Sequence, residues 1–409
     1  MSASAELRVA DFAGLVGAAN VRDAGDDDVV HGVRPRLVVA PGTEDEASVV
    51  LREASRAGLA VVIRGAGTKL TWGAPPRTCD MVLSTHRLDA LVEHEPGDLV
   101  CVAQAGMRLE ALQAVLVAAA GHRQRLMLDP FPAGTLGGIV ATAASGPLRN
   151  RYGTPRAVLI GARFVLADGT IGHTGGKVVK NVAGYDLAKL LTGSLGTLAL
   201  ITQVAFRLHP DPPASRTVLL DSASPDHVVA YLNRLRRLPV VPSCVDVLWP
   251  DGVVRVRIDG SADSAERQAQ GVAGGAGGRV LDDREAALLD ARIAVRPWDL
   301  PGAIVGVALP RTHIGDLLEL ASGRVEEVVL RGTLGTGEAR LAEDAAAVTG
   351  FRQAVATIGG HVVLQRSPAA LGAVAWPPGD DVAVELMRSV KRALDLSGVL
   401  APGRFLAAI

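Results

Sequence analysis

Hydrophobic positions recur along this chain with two different periods. Ala47, Val50, Leu51 and Ala54 fall at i, i+3, i+4 and i+7, the stripe of a helix that buries one side. Thr43 and Glu46 precede the stripe in capping-box order. The Thr43 hydroxyl can take the Glu46 N–H while the Glu46 side chain reaches back. Gly58 is well placed to stop the helix. Short apolar runs at 36–40 and 60–63 flank it, so this stretch reads as a β-α-β unit. Further strands are expected at 81–84 and 99–103, and a helix at 109–120. Residues 130–153 are rich in glycine and small side chains, which predicts a poor strand or an ordinary loop. Residues 157–171 alternate, with Asp168-Gly169 as a hairpin turn, and a strand follows at 197–207.

The Pro-rich LHPDPP at 208–213 stops this pattern. Beyond it the expected order is strand 217–220, helix 225–235, strands 244–249 and 253–258 around Asp251-Gly252, helix 262–272 and strand 279–281. A similar order recurs after Pro301: strand 303–308, helix 312–320, strands 326–330 and 337–341, helix 343–358, strand 361–365. Two β-α-β-β-α-β units predict an antiparallel sheet with helices on one face. WPPG at 376–379 marks another break, and a last helix is expected over 381–395. Three units follow from these breaks: 1–210, 211–375, and a C-terminal segment 376–409 that returns to the first.

Composition narrows the chemistry. Of 409 residues, 48% are hydrophobic, so a large core can be buried. A formal net charge of −1 without a basic block argues against nucleic acid and against a polybasic membrane patch. No apolar run approaches the roughly 20 residues needed to cross a bilayer, which predicts no direct membrane insertion. The N-terminal MSASAELRVADF lacks the basic start and apolar stretch of a signal peptide. Cys79, Cys101 and Cys244 form no CxxC pair, so no metal or iron–sulfur site is expected, and a reducing cytoplasm suits them.

The candidate chemistry begins at VVIRGAGTKLTWG, residues 61–73. Glycines, a hydroxyl and a lysine directly after a strand suit a backbone nest for phosphate. A Walker loop requires Gly-Lys-Ser/Thr, but Leu70 follows Lys69 and no glycine directly precedes it. A Rossmann fingerprint fails as well, because Leu70 takes the third glycine's place. On this segment alone, a plain Gly-rich turn is equally consistent.

Three further segments decide the reading: residues 131–146 (FPAGTLGGIVATAASG), 180–202 (KNVAGYDLAKLLTGSLGTLALIT) and 391–405 (KRALDLSGVLAPGRF). In this order the four segments resemble the FAD-binding flavoenzymes of the vanillyl-alcohol oxidase and p-cresol methylhydroxylase type. Within that superfamily, GGKVVKNVAGYDLAKLLTGSLGTLALITQVAFRLHP, WPP at 376–378 and the LAPGRF stretch are most similar to the FAD-binding E-subunit family of bacterial glycolate oxidases. The resemblance implies an α+β fold: a two-subdomain FAD-binding domain of this type plus an α+β cap with an antiparallel sheet. It implies that Arg64, Gly65, Ala66, Gly67, Thr68 and Lys69 wrap the FAD pyrophosphate. Thr135, Leu136, Gly137, Gly138, Thr142, Ser145 and Gly146 would line pyrophosphate and flavin, with Gly153 closing the wall. Gly196 and Ile201 would pack near the adenine, and Arg404 near the flavin. Tyr185 and Asp186 would be contacts as well, although Asp186 equally suits a helix N-cap, and Arg64 and Arg404 equally suit ion pairs. Relatives that attach FAD covalently in this loop use a His; residues 64–73 hold neither His nor Cys, so non-covalent FAD is expected. Leu195 where relatives carry Glu, Leu396 in place of Pro and Ala401 in place of Asn depart from the family pattern.

Oxidising a 2-hydroxy acid needs a base for the hydroxyl proton and a cation for the carboxylate. No H-x-x-H or H-x-x-x-H pair occurs among the nine His, so the His cluster of related dehydrogenases is absent. His361 is the one weak catalytic candidate. Arg331, Arg340 and Arg366 are carboxylate candidates, with solvated cap arginines as the plainer alternative. The resemblance implies partners: a larger FAD-containing catalytic subunit and an iron–sulfur subunit, with glycolate or another 2-hydroxy acid as substrate and any membrane association made through that complex. A self-sufficient D-lactate-like dehydrogenase is the alternative, and a non-catalytic flavoprotein-fold scaffold the second.

Overall fold

The computed structural model describes residues 9–119, 121, 123–176, 185–222, 224–406 and 409. The β-α-β unit forms as the periodicity predicts. Helix Glu44–Arg56 accepts the Glu46 N–H on the Thr43 hydroxyl and fully buries Ala47, Val50, Leu51 and Ala54. The Glu46 carboxylate reaches one residue further than a capping box would, accepting from the Gly42 N–H at 2.7 Å. Gly58 takes φ +66, the left-handed turn that ends the helix. The flanking strands Leu37–Val39 and Val61–Arg64 both run parallel to Met81–Ser84, which lies between them in a four-stranded sheet.

A second, five-stranded antiparallel sheet orders Leu91–Glu95, Val100–Gln104, Leu200–Arg207, Leu159–Val165 and Ile171–Gly175. The Asp168-Gly169 hairpin is in place, with Gly169 at φ +84. Strand Leu91–Glu95 was not expected; its residues are mostly half-buried and carry no clean alternation. Residues 130–153 depart further from expectation. They hold helix Leu136–Thr142 and the helical turn Arg149–Tyr152 rather than strand or loop. Two adjacent glycines lowered the helical signal, whereas the Thr135 cap and burial of Leu136, Ile139 and Val140 override it.

The third sheet has eight antiparallel strands, in the order Arg279–Val280, Ala214–Asp221, Val253–Gly260, Cys244–Trp249, Glu327–Arg331, Thr336–Leu341, Ala303–Ala308 and His361–Arg366. The two predicted units are therefore mirrored, joined through their second strands with Val247 opposite Leu330. Helices Pro225–Leu235, Ala262–Gly275, Ile314–Ala321 and Ala345–Thr357 pack one face into a continuous core. Helix Asp283–Val295, which the sequence reading missed, lies on the other face, where Ile293 meets Leu248, Val253 and Val329. The rest of that face is charged: Asp246 pairs with Arg255 at 2.6 Å, and Arg331 with Glu338 at 3.0 Å.

Helix Asp381–Leu394 returns the chain to the first two sheets. Its Lys391 and Asp395 form a buried pair at 2.6 Å, and Leu400 bridges in parallel to Val61. Among the described residues no helix is long and apolar enough to cross a membrane, and no cluster of three metal-ligating side chains occurs.

Candidate functional site

Two glycine-rich segments interlock to form a cleft. A β-carbon on Gly65 would lie 2.0 Å from the Thr135 hydroxyl, and one on Gly137 would lie 2.7 Å from the Ala105 β-carbon. Glycine is required at both places for the backbones to approach. The Thr135 hydroxyl accepts the Gly138 N–H at 3.3 Å, while the Leu136 and Gly137 N–H groups bind the Met107 and Ala105 carbonyls. The start of that helix is thus internally satisfied. The 65–69 loop is not: among the described residues, none of its five consecutive N–H groups donates to a protein acceptor. They border the cleft, with Gly67 in the left-handed region at φ +76. Consecutive free N–H donors of this kind form an anion nest.

Of the residues singled out from sequence, Gly65, Ala66, Gly67, Thr68, Lys69, Thr135, Gly137, Gly138, Thr142, Gly196, Ile201 and Arg404 line this one cleft. Arg404 arrives from the far end of the chain. It is 3% exposed and donates Nη2 to the Trp72 carbonyl at 2.7 Å, while its Nε and Nη1 have no partner. Burial pushes its guanidinium down to about 10. Among the described residues no carboxylate pairs with it, so the ion-pair alternative does not describe it. Lys69 is also buried; its Nζ binds the Pro132 carbonyl and lies 5.9 Å from the centre of the Trp72 ring. Desolvation lowers it to about 8.

The other predicted residues lie elsewhere. Arg64 borders the adjoining outer pocket and pairs with Asp28 at 2.8 Å, the ion-pair alternative for that residue. Hydrogen bonding from Arg22 holds the Asp28 carboxyl well below the usual range. Leu136 is fully buried in the core of the second sheet. Gly146 packs on the Asp129 carbonyl, and Gly153 turns the chain at φ +85 beside Ala157. Tyr185 is 93% exposed, and Asp186 caps helix Leu187–Leu191 through the Lys189 N–H. The preceding Lys180–Gly184 part of that motif lies outside the described residues.

A second cavity, of about 260 Å³, opens between the end of helix Leu136–Thr142 and the charged face of the eight-stranded sheet. Thr142 borders both spaces. Ser145 and His361 line it, so the catalytic candidate of the sequence reading does face a cavity. The three candidate arginines do not. Arg331 is held by Glu338 and the Ile293 carbonyl, Arg340 by Glu326 and Glu327, and Arg366 by the carbonyls of Trp298, Leu300 and Gly302. They are neither free nor solvated: they build the sheet and its loops. The cation that does line the cavity is Arg149, which sequence reasoning missed. Its only sequence signal was its place after a run of small residues, SGPLR.

The nest, the glycine cradle and the half-satisfied guanidinium of Arg404 fit a flat, anionic dinucleotide, and the comparisons agree. Residues 35–175 match the family model described as FAD binding domain. The solved structure of p-cresol methylhydroxylase with substrate bound aligns over 97% of this chain and 95% of its own, with a TM-score of 0.76 at 16% identity, a likeness of fold. Residues 35–175 thus form an FAD-binding domain, and the chain as a whole has the fold of p-cresol methylhydroxylase. Within that class it is similar to glycolate oxidase subunit GlcE of Escherichia coli, 28% identical over 85% of this chain and 93% of that protein. It is also 40% identical to D-lactate dehydrogenase of Archaeoglobus fulgidus, over 42% of this chain and 39% of that one. The match spans from 39 to 63% of the length of the first curated relatives.

Proposed function

We propose that this chain is the FAD-binding subunit of a glycolate-oxidising complex, in which electrons from glycolate or a related 2-hydroxy acid pass through FAD to an iron–sulfur subunit. A larger FAD-containing subunit would carry most of the chemistry. The observation behind the reading is the cleft itself: five free N–H groups at 65–69 and a buried, unpaired Arg404 on one anion-shaped surface. Similarity to subunit GlcE along most of both chains supports the complex. Residues 1–210 with 376–409 would hold the cofactor, and 211–375 would cover it.

Bound there, FAD supplies a two-electron acceptor for an alcohol carbon. The chain's own part would be to nest the pyrophosphate on Gly65–Lys69 and to place the Arg404 charge beside the ring system. Among the described residues, the Nε and Nη1 of Arg404 are left without a protein acceptor. With no His or Cys in the loop, attachment would be non-covalent.

A second reading is a self-sufficient 2-hydroxy-acid dehydrogenase. The cavity at Arg149 and His361 favours it, since it offers a cation and a proton acceptor on one chain. Anaerobic addition of glycolate or D-lactate to the purified flavoprotein separates the two. Flavin that stays oxidised until partner subunits are added supports the complex. Prompt bleaching of the isolated chain supports the second reading, and a chain purified without flavin that takes up none from solution sinks both.

A further inference from the structure

The turn Arg149–Tyr152 joins the cofactor region to the eight-stranded sheet. Asn150 donates to the Pro242 carbonyl at 3.0 Å and accepts the Thr333 N–H at 3.4 Å. Arg151 donates to the Asp259 carbonyl at 3.2 Å. These two side chains fix the turn against the sheet. Arg149, between them and the small-residue stretch, takes no part in docking. It is half-buried, and its Nε is buried without a hydrogen-bond partner. Glu338, the nearest carboxylate in charge terms, is engaged by Arg331 at 3.0 Å and makes no ion pair with Arg149. A desolvated guanidinium with an unused donor is costly to keep unless an acceptor visits it.

The same cavity holds the complementary defect. Gln365, on strand His361–Arg366, lines it with a buried Oε1 that accepts no hydrogen bond. One wall therefore lacks an acceptor for a cation and the other lacks a donor for an amide oxygen. A carboxylate satisfies the first and an adjacent hydroxyl the second. The Arg fork matches a carboxylate geometrically. The cavity, about 260 Å³ and walled in part by Ala143, Ala144 and Val363, has room for a short acid.

We propose that this cavity is a 2-hydroxy-acid site in which Arg149 anchors the carboxylate and the Gln365 carbonyl oxygen accepts the 2-hydroxyl proton as a hydrogen bond. The assignment rests on the 2-hydroxy-acid reading above and adds to it the two residues that recognise the acid. Arg149 comes from the cofactor region and Gln365 from the cap, so the acid bridges the two.

Calorimetric titration of the purified chain tests it with two probes: glycolate, anaerobically, and oxalate, which has carboxylates but no hydroxyl. Arg149→Met should weaken both by about 30-fold, the loss expected for a charged hydrogen bond, and Arg149→Lys should recover part of it. Gln365→Leu should weaken glycolate and leave oxalate unchanged. Flavin content and melting temperature should match the parent chain. Equal oxalate affinity in Arg149→Met and the parent overturns the anchor, as does failure of the parent chain to bind either acid. Equal losses of both probes in Gln365→Leu overturn the hydroxyl assignment. Should Arg149→Met not fold, Arg149→Lys and Gln365→Leu carry the comparison. Heat of binding is read whether or not flavin is present, so a chain that takes up no flavin refutes the cofactor reading and leaves this one to be decided by the acids.

Discussion

Arg404 sets two quantities against each other. A buried guanidinium with two unpartnered nitrogens destabilises the cofactor-free chain. Arg404→Met should therefore raise the melting temperature of the apoprotein, by the equivalent of about 1–3 kcal/mol, and lower FAD affinity at least tenfold. Scanning fluorimetry and flavin-fluorescence titration on one preparation read both. A variant that loses stability without losing affinity would show Arg404 to be structural. Asp129 offers a pH-dependent counterpart. Burial raises its carboxyl to about 6, whereas the unfolded chain ionises near 4. Between these values the folded state keeps a proton the unfolded state has released, so stability falls as pH rises through the window. Asp129→Asn, which still presents an oxygen to the Leu148 N–H, should stabilise by up to about 3 kcal/mol at pH 7 and make no difference below pH 4. Urea melts at the two pH values check it.

Among elements, the last helix has the most exacting attachment. Lys391 Nζ donates to Asp395 and to the Thr197 and Leu400 carbonyls, while Asp395 accepts the Val399 and Leu400 N–H groups. Breaking either half strands a buried charge, so Lys391→Met and Asp395→Ala should each cost about 3–5 kcal/mol. The double variant should lose less than the sum, because the orphaned charge is gone. This attachment was half legible. The stripe Val384, Met387, Val390 and Leu394 marked the helix, but its pairing with the Thr197 carbonyl, 194 residues away, leaves no local pattern. Elsewhere the strands and helices of the cap were legible because alternation and 3.6-residue stripes face one core. Helix Asp283–Val295 was not, since Ile293 is its only fully buried side chain. Site glycines were legible as a set, since loops that need missing side chains must carry glycine. Arg149 and Gln365 were not, because what distinguishes them is an empty hydrogen-bond position, a property of three-dimensional neighbours. Tyr185 was overread: a motif position need not face the cleft, and this one faces solvent.

At the scale of the molecule, an aromatic stack adds to the Asn150 and Arg151 contacts in holding the two regions together. Trp72, after the 65–69 loop, lies on Trp298 of the cap with centroids 5.8 Å apart and planes 15° from parallel. Arg366 covers the outer ring at 5.6 Å and Lys69 the inner at 5.9 Å. Trp298→Ala should cost about 3–5 kcal/mol and resolve the calorimetric unfolding into two transitions, one per region. A single transition merely shifted to lower temperature would mean the regions are coupled by other contacts.

The wall contributed by Arg404 has a temporal meaning. It closes on Trp72 across a separation of 332 residues, and a ribosome adding about 5–20 residues per second needs roughly 15–70 seconds to make that stretch. For that interval the glycine loops exist without their cation, and a cap of eight strands must be threaded between the two. On the proposed reading, cofactor capture would be a late event in biogenesis. The yellow colour of a preparation would report that the whole chain has been made and folded, rather than that its first half has.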